Sequence, residues 1–220
     1  MSARLVVLIS GRGRNLRALI EAVADRRIDA ELVAVISNRA DAEGLAYARD
    51  AGIATEVVAH GDYSTRADFD AALANCLRRH APDIVALAGF MRVLGDDFVR
   101  EFSGRMLNIH PSLLPKYPGL HTHRRALAAG DTEHGATVHF VTLEVDGGAR
   151  VIQGAFKCTA QDDEARLAER VMQEVELHIY PQAVCWMARG ELRLVDGAAH
   201  FRGAPLAQPL SMQQLEDAFK

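Results

Sequence analysis

The stretch Leu5-Val6-Val7-Leu8-Ile9-Ser10-Gly11-Arg12-Gly13-Arg14-Asn15-Leu16 decides the fold. Five apolar residues in a row, without alternation, are the pattern of a strand covered on both faces. A glycine-rich turn follows. Behind it Leu16, Leu19, Ile20 and Val23 recur at helical spacing over residues 15–24. Outward from this unit the pattern repeats. Residues 32–36 read as a strand, 42–51 as a helix and 55–58 as a third short strand. Ser64 is a candidate N-cap for a helix reaching residue 79, with Phe69, Leu73 and Leu77 four apart. Residues 83–88 (D-I-V-A-L-A) form a fourth buried strand before Gly89 and Phe90. This β-α-β-α-β-α-β order predicts an α/β fold with a doubly wound, mostly parallel twisted sheet and right-handed crossovers.

The second half is more mixed. Met106–His110 reads as a strand and residues 111–122 as an ordered loop. Residues 136–141 and 150–156 read as two strands. They are expected to pair antiparallel across a turn at Asp146-Gly147-Gly148, an antiparallel addition in the C-terminal half. Asp162 and Asp163 can cap a long helix with Leu167, Val171, Val175 and Ile179 four apart, extending towards Trp186. Residues 191–195 and 199–201 form a small hairpin at Asp196-Gly197, and the tail after Pro205 is expected to be peripheral. No repeat, low-complexity tract or linker interrupts the chain, so residues 1–220 read as a single domain.

The bulk properties exclude several function classes. The 220 residues are 49% hydrophobic and 25% charged, with a formal net charge of −4. No global basic excess points to nucleic acid. Three widely spaced cysteines, Cys76, Cys158 and Cys185, give neither a disulfide framework nor a C-x-x-C zinc pair. They read as packing cysteines of a reducing cytoplasm. The short N-terminal apolar run is interrupted at Gly11 and reads as a first strand, not a signal peptide. No run reaches the roughly 18–20 apolar residues of a membrane span.

Three constellations carry chemistry. The turn at Ser10–Asn15 aims backbone N–H groups and the positive end of a helix dipole at one point, which suits a phosphate. The dinucleotide pattern G-x-G-x-x-G is incomplete because Leu16 holds the third glycine position, and the turn alone fits an empty tight turn equally well. Asn108 and His110, two apart on a strand, share one face. An amide that donates to a developing oxyanion, beside a group that carries a proton near neutrality, suits carbonyl chemistry. The proline-rich loop after them would hold the pair rigidly. Asp146 precedes two glycines and reads first as a turn former. Its functional reading requires that it meet His110 in space, where its charge would raise the imidazole pKa. His121, His123, His134 and His139 lack the helical zinc spacing, so no metal is expected; His139 sits mid-strand as a supporting or packed residue.

These residues carry a resemblance. The chain resembles the phosphoribosylglycinamide formyltransferases of the folate-dependent formyltransferase superfamily. The matching segments are V-V-L-I-S-G-x-G-x-N-L from Val6, I-S-N-R-A-D-A from Ile36, A-G-I-A-T from Ala51 and A-P-D-I-V-A-L-A-G-F-M-R from Ala81. They continue with L-N-I-H-P-S-L-L-P-K-Y-P-G-L-H-T-H from Leu107, E-H-G-A-T-V-H-F-V from Glu133, D-G-G from Asp146 and I-Y-P from Ile179. They span about residues 4–190. The N-x-H-P-S-x-L-P core is shared across the superfamily, and the segment from Lys116 to His123 is similar to the glycinamide ribonucleotide enzymes in particular.

The resemblance implies a Rossmann-like formyltransferase fold. A nucleotide-phosphate half would cover about residues 1–105 and a folate and catalytic half about 106–190, with residues 191–220 outside both. It implies formyl transfer from 10-formyltetrahydrofolate, a cosubstrate, to the amine of glycinamide ribonucleotide in purine biosynthesis, without a metal. Asn108 and His110 would stabilise the oxyanion, and Asp146 would raise the His110 pKa and help relay the proton. Gly13, Arg14, Asn15 and Glu176 would hold the ribonucleotide. Arg66, Met91, Arg92, Val93, Leu94, Asn108, Thr142, Leu143, Glu144, Val145 and Asp146 would hold the folate, with Arg66 at its acidic tail. No nucleic acid or membrane partner is implied, and the chain would act in the cytoplasm as a monomer or weak homodimer. Arg14 stands where the family usually has serine. His178 stands one place beyond the family's histidine in E-H-x-I-Y-P, and the segment with Arg150 and Cys158 drifts from the pattern. Two alternatives remain: a formyltetrahydrofolate hydrolase and a non-catalytic nucleotide-binding module.

Overall fold

The computed structural model describes residues 2–220. Strand β1 (Ala3–Ile9) lies inside an eight-stranded sheet, flanked by β2 (Ala30–Ser37) and β4 (Ile84–Leu87), both parallel to it. Strand β3 (Thr55–Val57) forms one edge beyond β2, and β5 (Met106–His110) continues in parallel beyond β4. The chain therefore reverses its direction of winding between β2 and β4, on either side of β1. In open α/β sheets ligands bind outside the strands' carboxyl ends at such a point. The uniformly apolar strands follow from burial on two sides. Leu5, Val7 and Ile9 pack into one cluster with Leu16 and Leu19, while Val6 and Leu8 pack into a second with Phe69, Leu73 and Leu77.

Helix α1 (Arg14–Ala24) starts at Gly13, and α2 (Gly44–Asp50) packs beside it. Helix α3 (Arg66–His80) is capped by Thr65, whose hydroxyl accepts from the Asp68 N–H at 3.1 Å, one residue later than the expected Ser64 cap. Helix α4 (Asp96–Glu101) follows β4, and α5 (Thr122–Ala128) follows the loop after β5.

The antiparallel addition is present. Strand β6 (Glu133–Phe140) runs against β5, and β7 (Arg150–Lys157) runs against β6. The long helix is present and unbroken but not uniformly α. Asp163 caps α6 (Glu164–Arg170), a π-helical stretch covers Val171–Glu176, and α7 (Leu177–Ala188) completes it. Side-chain periodicity is too coarse to reveal an extra residue in one turn. Buried Tyr180 fixes α7 over the sheet: its hydroxyl faces the carbonyls of Leu87 and Leu107, at 2.9 and 3.0 Å, so its proton is shared between β4 and β5.

The expected hairpin, β8 (Leu192–Val195) with β9 (Ala198–Phe201), gains a third strand, β10 (Ala204–Pro205). The tail differs from the expected peripheral segment. Strand β11 (Leu210–Ser211) adds in parallel to β7, and Leu215 and Phe219 are buried in the core cluster around Trp186. These two side chains cover apolar surface that α7 would otherwise expose, which outweighs the polar composition of the segment.

Candidate active site

Strand β5 ends in the middle of the carboxyl edge of the sheet and delivers Asn108 and His110 there. The antiparallel register sets their neighbours: Asn108 lies opposite His139 and His110 opposite Thr137 on β6. The Asn108 Nδ2 donates to His139 Nε2 at 3.1 Å and makes a longer contact with Asp146 Oδ1 at 3.5 Å. His139 Nδ1 donates to the carbonyl of Phe140 at 2.9 Å, which leaves Nε2 as the acceptor. Asp146, 36 residues after His110 and outside any strand, reaches the same point. Its Oδ2 lies 3.2 Å from His110 Nδ1 and accepts the Gly119 N–H at 2.8 Å. Asp146 itself is in the left-handed region, at φ +54°, an unusual place for a non-glycine residue. Gly148 makes this turn possible: a Cβ there would stand 1.8 Å from the Phe140 carbonyl oxygen.

The electrostatics differ in one respect from the sequence expectation. Burial pushes the His110 pKa down. The Tyr117 carbonyl and the Asp146 charge pull it up, as expected of Asp146, but the net direction is below the ordinary histidine value. Desolvation of a buried imidazolium outweighs one carboxylate at 3.2 Å. Burial also pushes the Asp146 carboxyl up, yet the His139 ring beside it, the Gly119 N–H and the His110 charge hold it below its ordinary value. Asp146 is therefore ionised at neutrality beside an imidazole that is mostly neutral.

The loop after β5 is held from behind. Thr137 Oγ1 donates to the Ser112 carbonyl at 2.7 Å and accepts from the Leu114 N–H at 3.1 Å. Arg150 and Gln153 on β7 both donate to the Leu114 carbonyl, at 2.8 and 2.7 Å. Arg150 thus has a structural part in a segment that drifts from the family pattern. In front, His110 Nε2 meets the Tyr117 carbonyl at 2.9 Å. That nitrogen can face a reacting atom only after the Tyr117 segment gives way.

The Ser10–Asn15 turn lies at the same carboxyl edge. Gly13, at φ +74°, is the N-cap of α1, with no side chain satisfying the first N–H groups. A Cβ on Gly13 would stand 2.6 Å from the Gly44 Cα, so the close approach of α1 and α2 requires glycine. Gly13→Ala is expected to destabilise the protein by about 1–3 kcal/mol through overpacking and backbone strain. Urea unfolding checks this: a midpoint equal to that of the parent protein refutes the requirement. Asn15 Nδ2 donates to Glu176 Oε2 at 2.6 Å, which brings together two of the expected ribonucleotide residues from 161 positions apart. Burial pushes the Glu176 carboxyl up, against the opposing effects of Asn15 and Arg14. The Asn15 Oδ1 is buried without a partner and can accept from a ligand. The Arg14 guanidinium instead pairs with Glu169 Oε2 at 2.6 Å. His178 turns its two ring nitrogens to the carbonyls of Phe219 and Gln173, both at 3.1 Å. It takes no part in this site.

The segment from Gly89 to Gly95 forms one wall, tied at both ends. The Met91 N–H donates to Ser10 Oγ at 2.7 Å, and the Gly95 N–H donates to Asp70 Oδ2 at 2.7 Å. Arg66 reaches the same place, since its Nε lies 3.9 Å from the Cβ position of Gly95. The Arg92 guanidinium sits 5.9 Å from the Phe69 ring centre. Among the described residues seven large apolar side chains are exposed, and five of them, Met91, Val93, Leu120, Leu143 and Val145, stand on the three loops bordering Asn108 and Asp146. A rim of this kind suits a flat aromatic ligand. Leu94, Thr142 and Glu144 complete the two segments that the resemblance assigns to folate, and Glu144 folds against Gly147.

Sequence reasoning missed Asp70, Tyr117 and Gly119 as parts of this site, and placed Ser10 only as the start of the phosphate turn. Their contacts run through backbone groups, which leave no residue-type signal. Only Asp70, a buried carboxylate on the apolar side of α3, broke the helix pattern and could have been flagged.

Comparison with known proteins shows the family to which the chain belongs. The formyl transferase family model matches residues 3–184. The phosphoribosylglycinamide formyltransferase of Escherichia coli is 50% identical over 202 residues, covering 92% of this chain and 95% of that protein. The human trifunctional purine biosynthetic protein adenosine-3 is 45% identical over 87% of this chain, which corresponds to 19% of that longer protein. The phosphoribosylglycinamide formyltransferase of Coxiella burnetii, solved in complex with CHES, superimposes with a TM-score of 0.91 at 46% identity, covering 96% of this chain and 99% of that one. The chain belongs to the phosphoribosylglycinamide formyltransferases, within the formyl transferase family.

Proposed function

We propose that this site moves a formyl group from 10-formyltetrahydrofolate to the primary amine of glycinamide ribonucleotide. The observation that carries the reading is the meeting of Asn108, His110 and Asp146 between a capless helix N-terminus and an apolar rim. In this reading the backbone N–H groups of Gly13, Arg14 and Asn15 receive the phosphate, because the Arg14 side chain is engaged by Glu169. Glu176 and the free Asn15 Oδ1 face the ribose or glycinamide end. Met91, Arg92, Val93, Leu94 and residues 142–146 enclose the folate, and Arg66 meets its acidic tail. In this reading the protein acts as a monomer or weak homodimer.

The amine attacks the formyl carbon and the carbonyl pair moves onto oxygen. Asn108 Nδ2–H turns to that oxyanion, exchanging its 3.5 Å contact with Asp146 for a stronger one. The attacking nitrogen must lose a proton. His110, kept neutral by burial, takes it on Nε2 once that nitrogen leaves the Tyr117 carbonyl and the single ring proton sits on Nδ1, donating to Asp146. The imidazolium then formed is stabilised by the ionised Asp146 at 3.2 Å and by the oxyanion. Collapse breaks the bond from carbon to N10 of the folate, and N10 receives the proton from His110, directly or through water. The products are the formamide and tetrahydrofolate.

The test is the folate absorbance change on mixing the protein with 10-formyltetrahydrofolate, with and without glycinamide ribonucleotide. Loss of the formyl group only when the ribonucleotide is present is the expected result. Loss without it indicates a hydrolase, and no loss in either mixture a binding module; either overturns the reading.

A further inference from the structure

Away from this site, Glu56, Cys76 and His80 gather at the β3 edge of the sheet, with one donor atom from each within 4.8 Å of the others. Strand β3 is separated from β5 by β2, β1 and β4, so the cluster lies roughly 19 Å from Asn108 at about 4.8 Å per strand. Cys76 and His80 are four residues apart on α3 and therefore share a face. Glu56 comes from β3. Its Oε2 accepts from Cys76 Sγ at 3.1 Å, and its Oε1 pairs with His80 Nε2. We propose that Glu56, Cys76 and His80 form a binding site for Zn²⁺, with water in the fourth position.

Three features support this assignment. One thiol, one imidazole and one carboxylate are a donor set that suits zinc, and three protein ligands leave the usual open position for water. Tetrahedral zinc sets its donors about 3.3–3.8 Å apart, so the cluster needs only small side-chain rotations. His80 is in the last turn of α3, where the helix dipole favours a cation. Access is also provided: Cys76 is buried, whereas Glu56 and His80 are partly exposed and open the cluster to solvent. The present cation is Arg79, which pairs with Glu56 Oε2. Its exposed side chain can swing into water, so the metal replaces one positive partner by another. On binding, the Cys76 S–H bond breaks, its proton passes to the buffer, and a zinc–sulfur bond forms. The metal would clip the three-residue edge strand β3 to α3 and so protect an otherwise weak sheet edge.

The test uses untagged full-length protein freed of metal with a chelator and titrated with Zn²⁺ alone or Co²⁺ alone. One equivalent of Co²⁺ is expected to give a near-ultraviolet thiolate-to-cobalt charge-transfer band, and Zn²⁺ to abolish it by displacement and to raise the Tm. Cys76→Ser should remove the band. His80→Gln, on a partly exposed side chain that leaves the fold intact, should keep the band but weaken binding by at least the roughly 10–100-fold that loss of a supporting group costs. Both variants should keep the parent's formyl transfer rate, so failure of this site and failure of the proposed reaction are read separately. Absence of the band, its survival in Cys76→Ser, or unchanged affinity in His80→Gln overturns the proposal.

Discussion

His110→Ala is expected to lower kcat about 10²–10⁴-fold, the range for a group that transfers a proton in the transition state, and to leave the ribonucleotide Kd within about twofold. The separation follows from geometry. The proposed phosphate turn is built on α1 and braced by Gly44, whereas His110 is on β5 and its ring nitrogens face Asp146 and the Tyr117 carbonyl. Removing the imidazole therefore takes away the proposed proton acceptor without touching the N–H groups proposed to receive the phosphate. Single-turnover kinetics with a separate binding titration checks this. Weaker ribonucleotide binding with unchanged turnover of the bound complex would contradict the role. Alanine also leaves a gap beside Asp146, so His110→Asn, which can still bond to the Tyr117 carbonyl, serves as the packing control and should be nearly as slow.

The second large effect is at Asp146. Asp146→Asn is expected to reduce kcat about 10²–10³-fold, because the imidazolium formed during transfer loses its counter-charge. The sign of the pH effect is fixed by the groups around His110. In the proposed mechanism transfer requires neutral His110, so the rate should rise with pH through the His110 pKa. Burial already holds that pKa below the ordinary value of about 6.5, and Asp146 is one of the two groups pulling it up. Removing the charge leaves burial opposed by the Tyr117 carbonyl alone. The acid limb of the kcat/KM profile should therefore move to lower pH in Asp146→Asn while the plateau falls. An acid limb that stays in place, or moves up, would refute the coupling between the two groups. Gly119 tests the same arrangement structurally: its N–H can still bond to the remaining amide oxygen, so the variant should keep the parent's Tm to within a few degrees.

The order of strands and helices was legible because its signals are local. Apolar runs without alternation, helical spacing of leucines and glycine turns each act over a few residues, and they determine a parallel sheet wherever they alternate. Asn108 and His110 were legible for the same reason, since two residues of one strand necessarily share a face. The edges of elements were less so: Thr65 displaced Ser64 as cap, and the π-helical stretch ending at Glu176 left the hydrophobic pattern of α6 and α7 intact. The tail was misread because Leu215 and Phe219 are isolated apolar residues in a polar segment, and their value depends on the surface of α7 that they cover.

By itself, then, the amino-acid sequence determined the order of strands and helices, the turn that opens α1 and the pair on β5, whose signals each act within a dozen residues. Only the tertiary structure decided that Asp146 meets His110, that Asn15 meets Glu176 and that Arg14 is taken by Glu169. It also decided that burial outweighs Asp146 in setting the charge of His110. The physical reason is that desolvation and ion pairing depend on distance and on exclusion of water, and neither is a property of neighbouring residues along the chain.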